Sequence, residues 1–379
     1  MTGNSPRAAS PGTDVRAGRL LQAAAAHGQR AVVAYSGARH FLADGDPVWW
    51  LTRYKPMAEC LALVAPDGRV ELLVSPAWDE GRARAAAPGV VVHTGEPLAA
   101  VRSWRSRAGL AAGEVAFWGR RQVMAQRLSC LTQELGPLAD ADAAFEQVAR
   151  PRDAADIALA EQAAGLAQEG YRELLRVLRP GIGEFEVVAR VHLRLRELGA
   201  DDTFLLISSA RHNLALHPPT ERILARGDIV LMEISPAVAG VYSQICRTVV
   251  LGAPGGSVRS DFELLSQSLA AGARACAPGT AVADVVAAMD EVIADGGFAE
   301  YCQPPHMRAR GHGLGLASGM PGDLTRDSKR ELVAGDVFVL HPNQYLPASG
   351  YLLCGEPLVV TGSGGLPLTG SFAPLGEVA

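Results

Sequence analysis

Hydrophobic and polar positions alternate in short blocks over residues 14–150, and each block has a recognisable period. Helical spacing of apolar residues covers 15–27 and 121–135, and turn signals such as Pro66-Asp67-Gly68 separate the other blocks. Those blocks are short apolar runs that predict strands at 31–35, 60–64, 70–75 and 90–93. Strands alternating with helices are typical of a small α/β domain.

The pattern changes near residue 150, where a longer helical period begins and continues to Pro180-Gly181, a pair that ends helices. Helices are predicted again at 261–277 and 280–296. Four β-branched runs predict further strands, at 228–234, 241–251, 337–341 and 352–361. No unit recurs at a fixed period, which excludes a solenoid.

This organisation predicts three parts of the chain. Residues 1–13, rich in Gly, Ser, Pro and Ala, are expected to form a disordered tail. A first domain is expected over 14–150 and a second one over 151–379. Together they form an α/β (α+β) protein.

Composition narrows the class of protein. The chain has 379 residues, 48% of them hydrophobic and 20% charged, which predicts a soluble globular protein with sizeable cores. The net charge is −5 and the basic residues are scattered, so binding to nucleic acid is not expected. No stretch reaches the about 18 to 20 apolar residues that cross a bilayer, and the N-terminus lacks an apolar signal region. We expect a cytoplasmic protein with no membrane partner.

The 6 cysteines do not form a recognisable metal or redox pattern. They are widely spaced, with no CxxC pair and no zinc-finger spacing. We interpret them as small apolar residues of the interior in a reducing compartment, and Cys246, inside a predicted strand, as an inert thiol.

Polar residues interrupt two neighbouring predicted strands of the second domain. Glu233 lies inside the run 228–234, where a buried carboxylate costs several kcal/mol unless it has a partner. Gln244 and Arg247 interrupt the next run, 241–251. Gly240, which lies between the two runs, suits a tight connection. The two strands are therefore expected to share one polar pocket.

Three histidines punctuate the same domain. His312 stands between glycines, where a bare backbone allows another group to approach closely. His341 ends an apolar run, and His217 lies in a loop before the first of these strands. The glycines around His312 lack the spacing of a dinucleotide fingerprint. Three histidines, a Glu and a Gln are explained together by one concave polar site.

These motifs resemble the creatinase, aminopeptidase P and prolidase family, peptidase family M24. The resemblance rests on His217 and on the runs GDIVLMEISPAVAGVYSQICRTVVLG (227–252), GHGLGL (311–316), AGDVFVLHP (334–342) and EPLVVTGSGG (356–365). It implies a pita-bread catalytic domain preceded by a smaller creatinase-type α/β domain. Residues 150–157 resemble the start of the family's interdomain helix, and 49–54 resemble a strand and loop of its N-terminal domain.

The resemblance also implies positions for metal ligands. The two aspartates, one histidine and two glutamates that hold two metal ions in the family's metallopeptidases correspond to Glu233, Gln244, His312, His341 and Gly355. Only His312 is unchanged, and a neutral amide and a glycine cannot offset the charge of two divalent ions. The family's second histidine falls on Gly319-Met320. We therefore expect neither a dinuclear metallopeptidase nor any cofactor.

Creatinase hydrolyses a carbon–nitrogen bond without metal, and His217 corresponds to its loop histidine, the general acid and base. The glutamates that bind creatine's guanidinium correspond to Cys246 and His341, so another small polar substrate is expected. The resemblance implies a homodimer in which one subunit's N-terminal domain closes the other's site. Arg53 and Tyr54 would then contact substrate, Arg53 through a carboxylate.

The remaining candidates have open roles. Glu233 is expected to orient the imidazole of His312 or His341, and these three residues with His217 form the predicted catalytic set. Gln244 binds a substrate amide or carboxylate, or is a satisfied buried amide. Tyr242 is a further predicted substrate contact, and Glu356 either turns into the site or caps a turn. Arg247 is expected in a buried ion pair.

The leading functional hypothesis is a metal-independent, creatinase-like hydrolase of a carbon–nitrogen bond in a small amine- or amide-bearing metabolite of specialised metabolism. One alternative is a lyase or tailoring enzyme that uses the same histidines for proton abstraction. Another is a mononuclear metal enzyme with Glu233, His312 and His341 as ligands. The last is a binding protein on a catalytically inactive peptidase fold.

Overall fold

A computed structural model describes residues 12–38, 45–150, 154–317, 320 and 322–379. The chain divides after Arg150 into two compact units. Of the tail predicted at 1–13, residues 1–11 lie outside the described residues. The first helix begins at Thr13. Gly319 and residues 151–153, part of the segment compared with the family's interdomain helix, also lie outside them.

The first unit is a mixed sheet with helices between its strands. Its helices are α1 Thr13–Ala25, α2 Pro47–Thr52, α3 Glu80–Ala86, α4 Pro97–Arg107, α5 Ala125–Leu135 and α6 Asp142–Ala149, with a short 3-10 turn at Ala77–Asp79. Its strands are β1 Ala31–Ser36, β2 Cys60–Val64, β3 Val70–Leu73, β4 Val91–His93, β5 Val115–Trp118 and β6 Ala139–Asp140.

The six strands of this unit lie in the order β4-β3-β2-β1-β5-β6. Strand β1 pairs antiparallel with β2 and parallel with β5, as mixed α/β units do. Every residue of β1, β2 and β5 is buried, which explains why they read as continuous apolar runs and not as alternating ones.

The segment 49–54, expected as a strand and loop, is instead the helix α2 followed by a turn. The Asp46 side chain accepts the backbone N–H of Trp49 at 2.9 Å, and Pro47 occupies the first helical position. Arg53 ends the helix in the left-handed conformation, with φ 60°. These capping residues outweigh the β propensity of the tryptophan pair, so the strand prediction is wrong.

The second unit contains four helices and eleven strands among the residues that the structure describes. The helices are α7 Ala154–Val177, α8 Glu184–Glu197, α9 Gly256–Ala275 and α10 Val282–Ile293, followed by a π turn Ala294–Phe298 and a 3-10 turn Ala299–Cys302. The strands are β7 Asp202–Ala210, β8 Ile229–Val238, β9 Val241–Tyr242, β10 Ile245–Leu251, β11 Gly311–Gly313, β12 Val337–Leu340, β13 Gln344–Leu346, β14 Gly350–Leu352, β15 Glu356–Thr361, β16 Gly364–Pro367 and β17 Gly376–Val378.

Three sheets form in this unit: β17-β10-β8-β7 with β9 paired to β8, β11-β12-β15-β16, and the hairpin β13-β14. The strand predicted over 241–251 is broken at Ser243 and Gln244, between β9 and β10. Ala239 and Gly240, with φ 46° and 77°, form the tight connection expected at Gly240. The prediction missed β7, because its apolar residues are flanked by polar ones and are only partly buried at one end.

The two faces of β8 and β10 belong to different cores. Met232 and Ile234 pack with α7 and α8, whereas Leu231 and Cys246 pack in a cluster with residues of α9, α10 and β12. Because side chains alternate along a strand, Glu233 shares the face of Leu231. The carboxyl therefore lies on the side of the sheet that faces β12.

Candidate active site

Glu233 lies at the centre of this face. Its cross-strand neighbours are Cys246 on β10 and Leu206 on β7. Its carboxyl forms no hydrogen bond or ion pair with any residue that the structure describes. Burial without a partner raises the pKa of Glu233 to about 7. A group with such a pKa exchanges a proton readily near neutral pH.

Gly355 closes the space beside Cys246. The two residues exchange backbone hydrogen bonds of 3.1 and 3.2 Å. A Cβ atom added at position 355 would lie 2.8 Å from the Cβ of His341 and 3.0 Å from the Sγ of Cys246, closer than side chains pack. The position at which the family resemblance implies a glutamate ligand is therefore closed to a side chain.

His312 and His341 lie side by side, with ring centroids 5.3 Å apart and planes at 62°. The Nδ1 of His312 donates to the carbonyl of Gly313 at 3.0 Å. The Nδ1 of His341 is buried and has no hydrogen-bond partner among the described residues. Burial, and then the neighbouring His312, lower the pKa of His341 to about 3, and burial also lowers the pKa of His312. Both imidazoles are thus held neutral.

These contacts correct the predicted role of Glu233 as the orienting partner of an imidazole. Its carboxyl forms a hydrogen bond with neither His312 nor His341; the Nδ1 of His312 instead donates to a backbone carbonyl, and the Nδ1 of His341 has no partner among the described residues. The glycines beside His312 were expected to let another group approach the backbone closely, and the structure shows that this group is a neighbouring strand. A Cβ at Gly311, whose φ is 150°, would lie 2.1 Å from the carbonyl oxygen of Val339. The glycine admits the neighbouring strand β12 and not a ligand.

His217 lies in the loop that runs beside β7. Its N–H donates to the hydroxyl of Ser208 at 3.2 Å, and its carbonyl accepts the N–H of Ile207 at 3.0 Å. Ile207 follows Leu206, the residue opposite Glu233. The exposed ring donates from Nδ1 to the carbonyl of Pro218 at 2.7 Å, which leaves the lone pair on Nε2. This tautomer can accept a proton at Nε2.

Tyr351, which sequence reasoning missed, also belongs to this site. It lies on β14 opposite Tyr345, and its N–H donates to the carbonyl of Asn213 at 2.7 Å. Burial, and then the neighbouring acidic groups of Cys246 and Glu233, raise the pKa of the Tyr351 phenol. A tyrosine in an apolar run is an ordinary strand residue, so no local signal marks it.

Gln244 is held inside the protein. Its Oε1 accepts the hydroxyl of Ser235 at 3.2 Å, and its Nε2 donates to the Sγ of Cys246 at 3.7 Å. The side chain is buried. Of its two predicted roles, these contacts favour the satisfied buried amide over a substrate contact.

Glu356 is bonded within the fold, which does not favour its predicted contact with substrate. Its carboxylate pairs with Arg247 at 2.7 Å, and the two side chains are 1% and 5% exposed. It also accepts the hydroxyl of Thr369 at 2.7 Å and the N–H of Ala373 at 3.1 Å. Both of its carboxylate oxygens are therefore used within the fold. Arg247 occupies the buried ion pair expected of it.

Tyr242 and Tyr54 are likewise bonded within their own units. The buried Tyr242 places its hydroxyl 3.2 Å from Asp202. The fully buried Tyr54 donates its hydroxyl to Asp79 at 2.6 Å, and the guanidinium of Arg82 lies over its ring. Both phenols bond to carboxylates of their own unit, which does not favour either of them as a substrate contact. The contact of Arg53 across a dimer stays a prediction.

The side chains of the site do not fit the metals of the family. Among the described residues, no three His, Cys, Asp or Glu side chains are placed to hold a metal ion. Glu233, His312 and His341 therefore do not form the facial ligand set of the mononuclear alternative in this geometry. All 6 cysteines are free, and Cys246 is buried. Burial raises the pKa of the Cys246 thiol and keeps it protonated.

Two compact units, the second with a polar site between β8, β10 and β12, define a pita-bread protein with a smaller N-terminal α/β domain. Residues 158–365, more than half of the chain, match metallopeptidase family M24, and the chain belongs to this family. The predictions of family and fold class are thereby confirmed. None of the described helices is long and apolar enough to span a membrane.

Two curated relatives are similar over part of the chain. The uncharacterized peptidase YqhT of Bacillus subtilis is 26% identical over 241 residues, which cover 63% of this chain and 66% of that protein. The Xaa-Pro dipeptidase of Pyrococcus furiosus is 24% identical over 217 residues, 56% of this chain and 61% of that protein. The chain thus spans less than two thirds of the length of either relative.

Solved structures share the fold over almost the full length. An Xaa-Pro dipeptidase from Bacillus anthracis has a TM-score of 0.82 at 19% identity and covers 97% of this chain and 100% of its own. An X-Pro aminopeptidase from Thermotoga maritima has a TM-score of 0.83 at 17% identity, with 96% and 99% covered. At this identity the likeness concerns the fold alone.

Proposed function

We propose that the protein hydrolyses a carbon–nitrogen bond in a small polar amine- or amide-bearing molecule without a metal ion, with His217 as general acid and base. The observation that carries this proposal is the closed position 355, where His341 and Cys246 fill the space of a ligand side chain. Relatives named as Xaa-Pro dipeptidases support the class of bond.

The loss of charge supports the same conclusion. Two divalent cations need several carboxylates, and of the five corresponding positions only Glu233 carries one. Gln244 is neutral and already bonded to Ser235 and Cys246. Neutral His312 and His341 add no negative charge. Proton transfer by side chains is the chemistry that remains at this site.

His217 and Glu233 are suited to divide that chemistry. The Nε2 lone pair of His217 takes a proton from water while the water oxygen attacks the substrate carbon. His217 then returns this proton to the leaving nitrogen as the carbon–nitrogen bond breaks. Glu233, with no other partner among the described residues, accepts a hydrogen bond from the substrate nitrogen. An amine or amide substrate supplies that N–H group.

The proposal includes a homodimer in which Arg53 of one subunit contacts a substrate carboxylate in the other. Arg53 stands at the end of α2 in the left-handed conformation, which holds its backbone at a sharp turn. A guanidinium binds a carboxylate through two parallel hydrogen bonds. The substrate would then carry a carboxylate as well as the scissile nitrogen.

The test is a screen of metal-depleted protein against Gly-Pro, N-acetylglycine, hydantoic acid and creatine in H₂¹⁸O. We expect amine release with one ¹⁸O in the product that contains the attacked carbon, unchanged by chelator and lost in His217→Ala. His192→Ala, which changes an exposed histidine on α8, should keep the activity. Activity that needs an added divalent ion would contradict the proposal, and products without ¹⁸O would favour the lyase alternative. No turnover at all would favour the binding protein.

A further inference from the structure

We propose that the hydroxyl of Tyr351 donates a hydrogen bond to the substrate oxygen that becomes negatively charged during hydrolysis. The inference rests on the proposed function and assigns the group that stabilises charge where no metal ion does so. A positioned neutral donor of this kind is worth a factor of about 10²–10³ in kcat in other hydrolases.

The hairpin β13–β14 fixes the backbone of Tyr351. Gly350 lies against the backbone of Asn213, where an added Cβ would come within 2.7 Å of its carbonyl oxygen. The side chain of Asn213 donates to the carbonyl of Ile229 at 2.8 Å, which ties the loop to the start of β8. The tyrosine is therefore anchored to the strand that carries Glu233.

The segment after Tyr351 is fastened to β10. The hydroxyl of Thr248 donates to the carbonyl of Leu353 at 2.8 Å and accepts its N–H at 2.9 Å. Two residues later, Gly355 pairs with Cys246. The ring of Tyr351 packs against the hydrophobic core that contains Cys246. These contacts hold the backbone that carries Tyr351 beside β10 and pack its ring against the core of Cys246.

The hydroxyl of Tyr351 is available to a ligand. It forms no hydrogen bond with any residue that the structure describes, unlike the hydroxyls of Tyr54 and Tyr242, which meet carboxylates. Burial and the nearby acidic groups raise its pKa, so the phenol stays protonated at neutral pH and acts as a donor.

The cations near the site are already neutralised. Arg247 pairs with Glu356 at 2.7 Å, and Arg310, which is fully buried, donates to Asp290 at 2.6 Å. The charge of each guanidinium is thus paired with a carboxylate inside the fold. A phenol donor that is shielded from water acts more strongly than it would in water.

The reaction balances with this donor in place. Water oxygen bonds to the substrate carbon while His217 takes the water proton, and the carbonyl π electrons move to the oxygen that Tyr351 contacts. The carbonyl then re-forms, the carbon–nitrogen bond breaks, and the nitrogen takes its electron pair together with the proton of His217. Tyr351 keeps its own proton throughout.

Binding of a tetrahedral anion tests the assignment without turnover. The protein has 7 tyrosines, which are labelled as 3-fluorotyrosine. The fluorine NMR signal of Tyr351 is identified by its loss in Tyr351→Phe. The labelled protein is then titrated with methylphosphonate. We expect that signal to shift on titration and the affinity to fall at least about tenfold in Tyr351→Phe. Tyr345→Phe, the matched change on the opposite strand, should keep the affinity of the unchanged protein. An unmoved Tyr351 signal, or equal affinity in the two variants, would overturn the proposal.

Kinetics separate this inference from the proposed function. With any hydrolysed member of the substrate panel, Tyr351→Phe should lower kcat by about 10²–10³ and change KM little, because the contact strengthens in the transition state. Equal kcat in Tyr351→Phe and unchanged protein would remove Tyr351 from the mechanism. A requirement for added metal, with the phosphonate result intact, would remove the metal-independent mechanism and leave the donor in place.

Discussion

Single residues set the proton chemistry of the site, and Glu233 is the most consequential of them. It is the one carboxyl on the β12-facing side of β8 without a partner among the described residues, and its pKa is raised to about 7. The pKa of His341 shifts in the opposite direction and is lowered to about 3. Burial is the cause in both cases, because it disfavours whichever form carries charge.

Stability should therefore depend on the ionisation of Glu233. The folded pKa lies above the ordinary value of 4.5, so the folded state gives up its proton later than the unfolded state as pH rises. The free energy of unfolding therefore decreases by about 3 kcal/mol as pH rises from roughly 4.5 to 7, and it increases again as pH falls. Glu233→Gln should raise the Tm markedly at about pH 8 and much less at about pH 5, measured by calorimetry.

The control for this pH dependence is Glu300→Gln, the same change at an exposed carboxyl. It should leave the Tm within error at both pH values. An equal rise in Tm at both pH values for Glu233→Gln would show that lost packing, and not ionisation, governs the effect.

Gly355 offers a second prediction at this scale. Gly355→Glu restores the residue implied by the family resemblance, but its Cβ would meet His341 and Cys246 at 2.8 and 3.0 Å. We expect a loss of about 1–3 kcal/mol from overpacking and no gain of metal affinity. Denaturant unfolding and metal analysis measure the two outcomes, and tight binding of two ions by this variant would contradict the account of the closed site.

Secondary-structure elements hold the site through a few buried polar ties. The Arg247–Glu356 pair joins β10 to β15, and the guanidinium also donates to the carbonyls of Cys246 and Gly355 at 3.0 and 2.8 Å. Thr248 makes the adjacent tie to Leu353. These contacts bring the strand of Cys246 next to the segment that follows Tyr351.

Breaking the ion pair from one side should therefore be costly. Glu356→Ala leaves Arg247 buried and unpaired, which costs about 3–5 kcal/mol, and Arg247→Met in the same chain should recover part of that loss. Urea unfolding of the single and double variants measures both values. If Glu356→Ala changed the free energy of unfolding by less than about 1 kcal/mol, the pair would not be the structural tie described.

At the scale of the whole molecule, the proposed homodimer has a kinetic consequence. Arg53→Ala should raise KM for an anionic substrate of the panel by about tenfold or more, because a charge-assisted bidentate contact is lost. The dimer itself should persist on size-exclusion chromatography. Arg30→Ala, which removes an arginine paired at the surface with Glu114, is the matched control and should leave KM unchanged. An unaltered KM in Arg53→Ala would exclude the contact with substrate.

The order of motifs along the chain was enough to identify the fold. Runs with period 2 or 3.6 mark strands and helices locally, and the sequence around Glu233, His312 and His341 preserves the spacing of family M24. The sequence pattern did not predict helix α2, because the capping residues Asp46 and Arg53, and not apolar periodicity, determine this helix. The absence of acidic ligands was also visible, since residue identity alone decides it.

Only the tertiary structure decided which side chains face the site. Tyr54, Tyr242 and Glu356 were plausible contacts by position, but each is bonded within the fold. Tyr351 came into the site because a hairpin remote in sequence is fastened to β8 and β10. Residue types and local period are properties of short segments, whereas burial and partners depend on the register between segments far apart in the chain. Sequence therefore determined the fold and the loss of ligands, and packing determined which polar groups remain free to act.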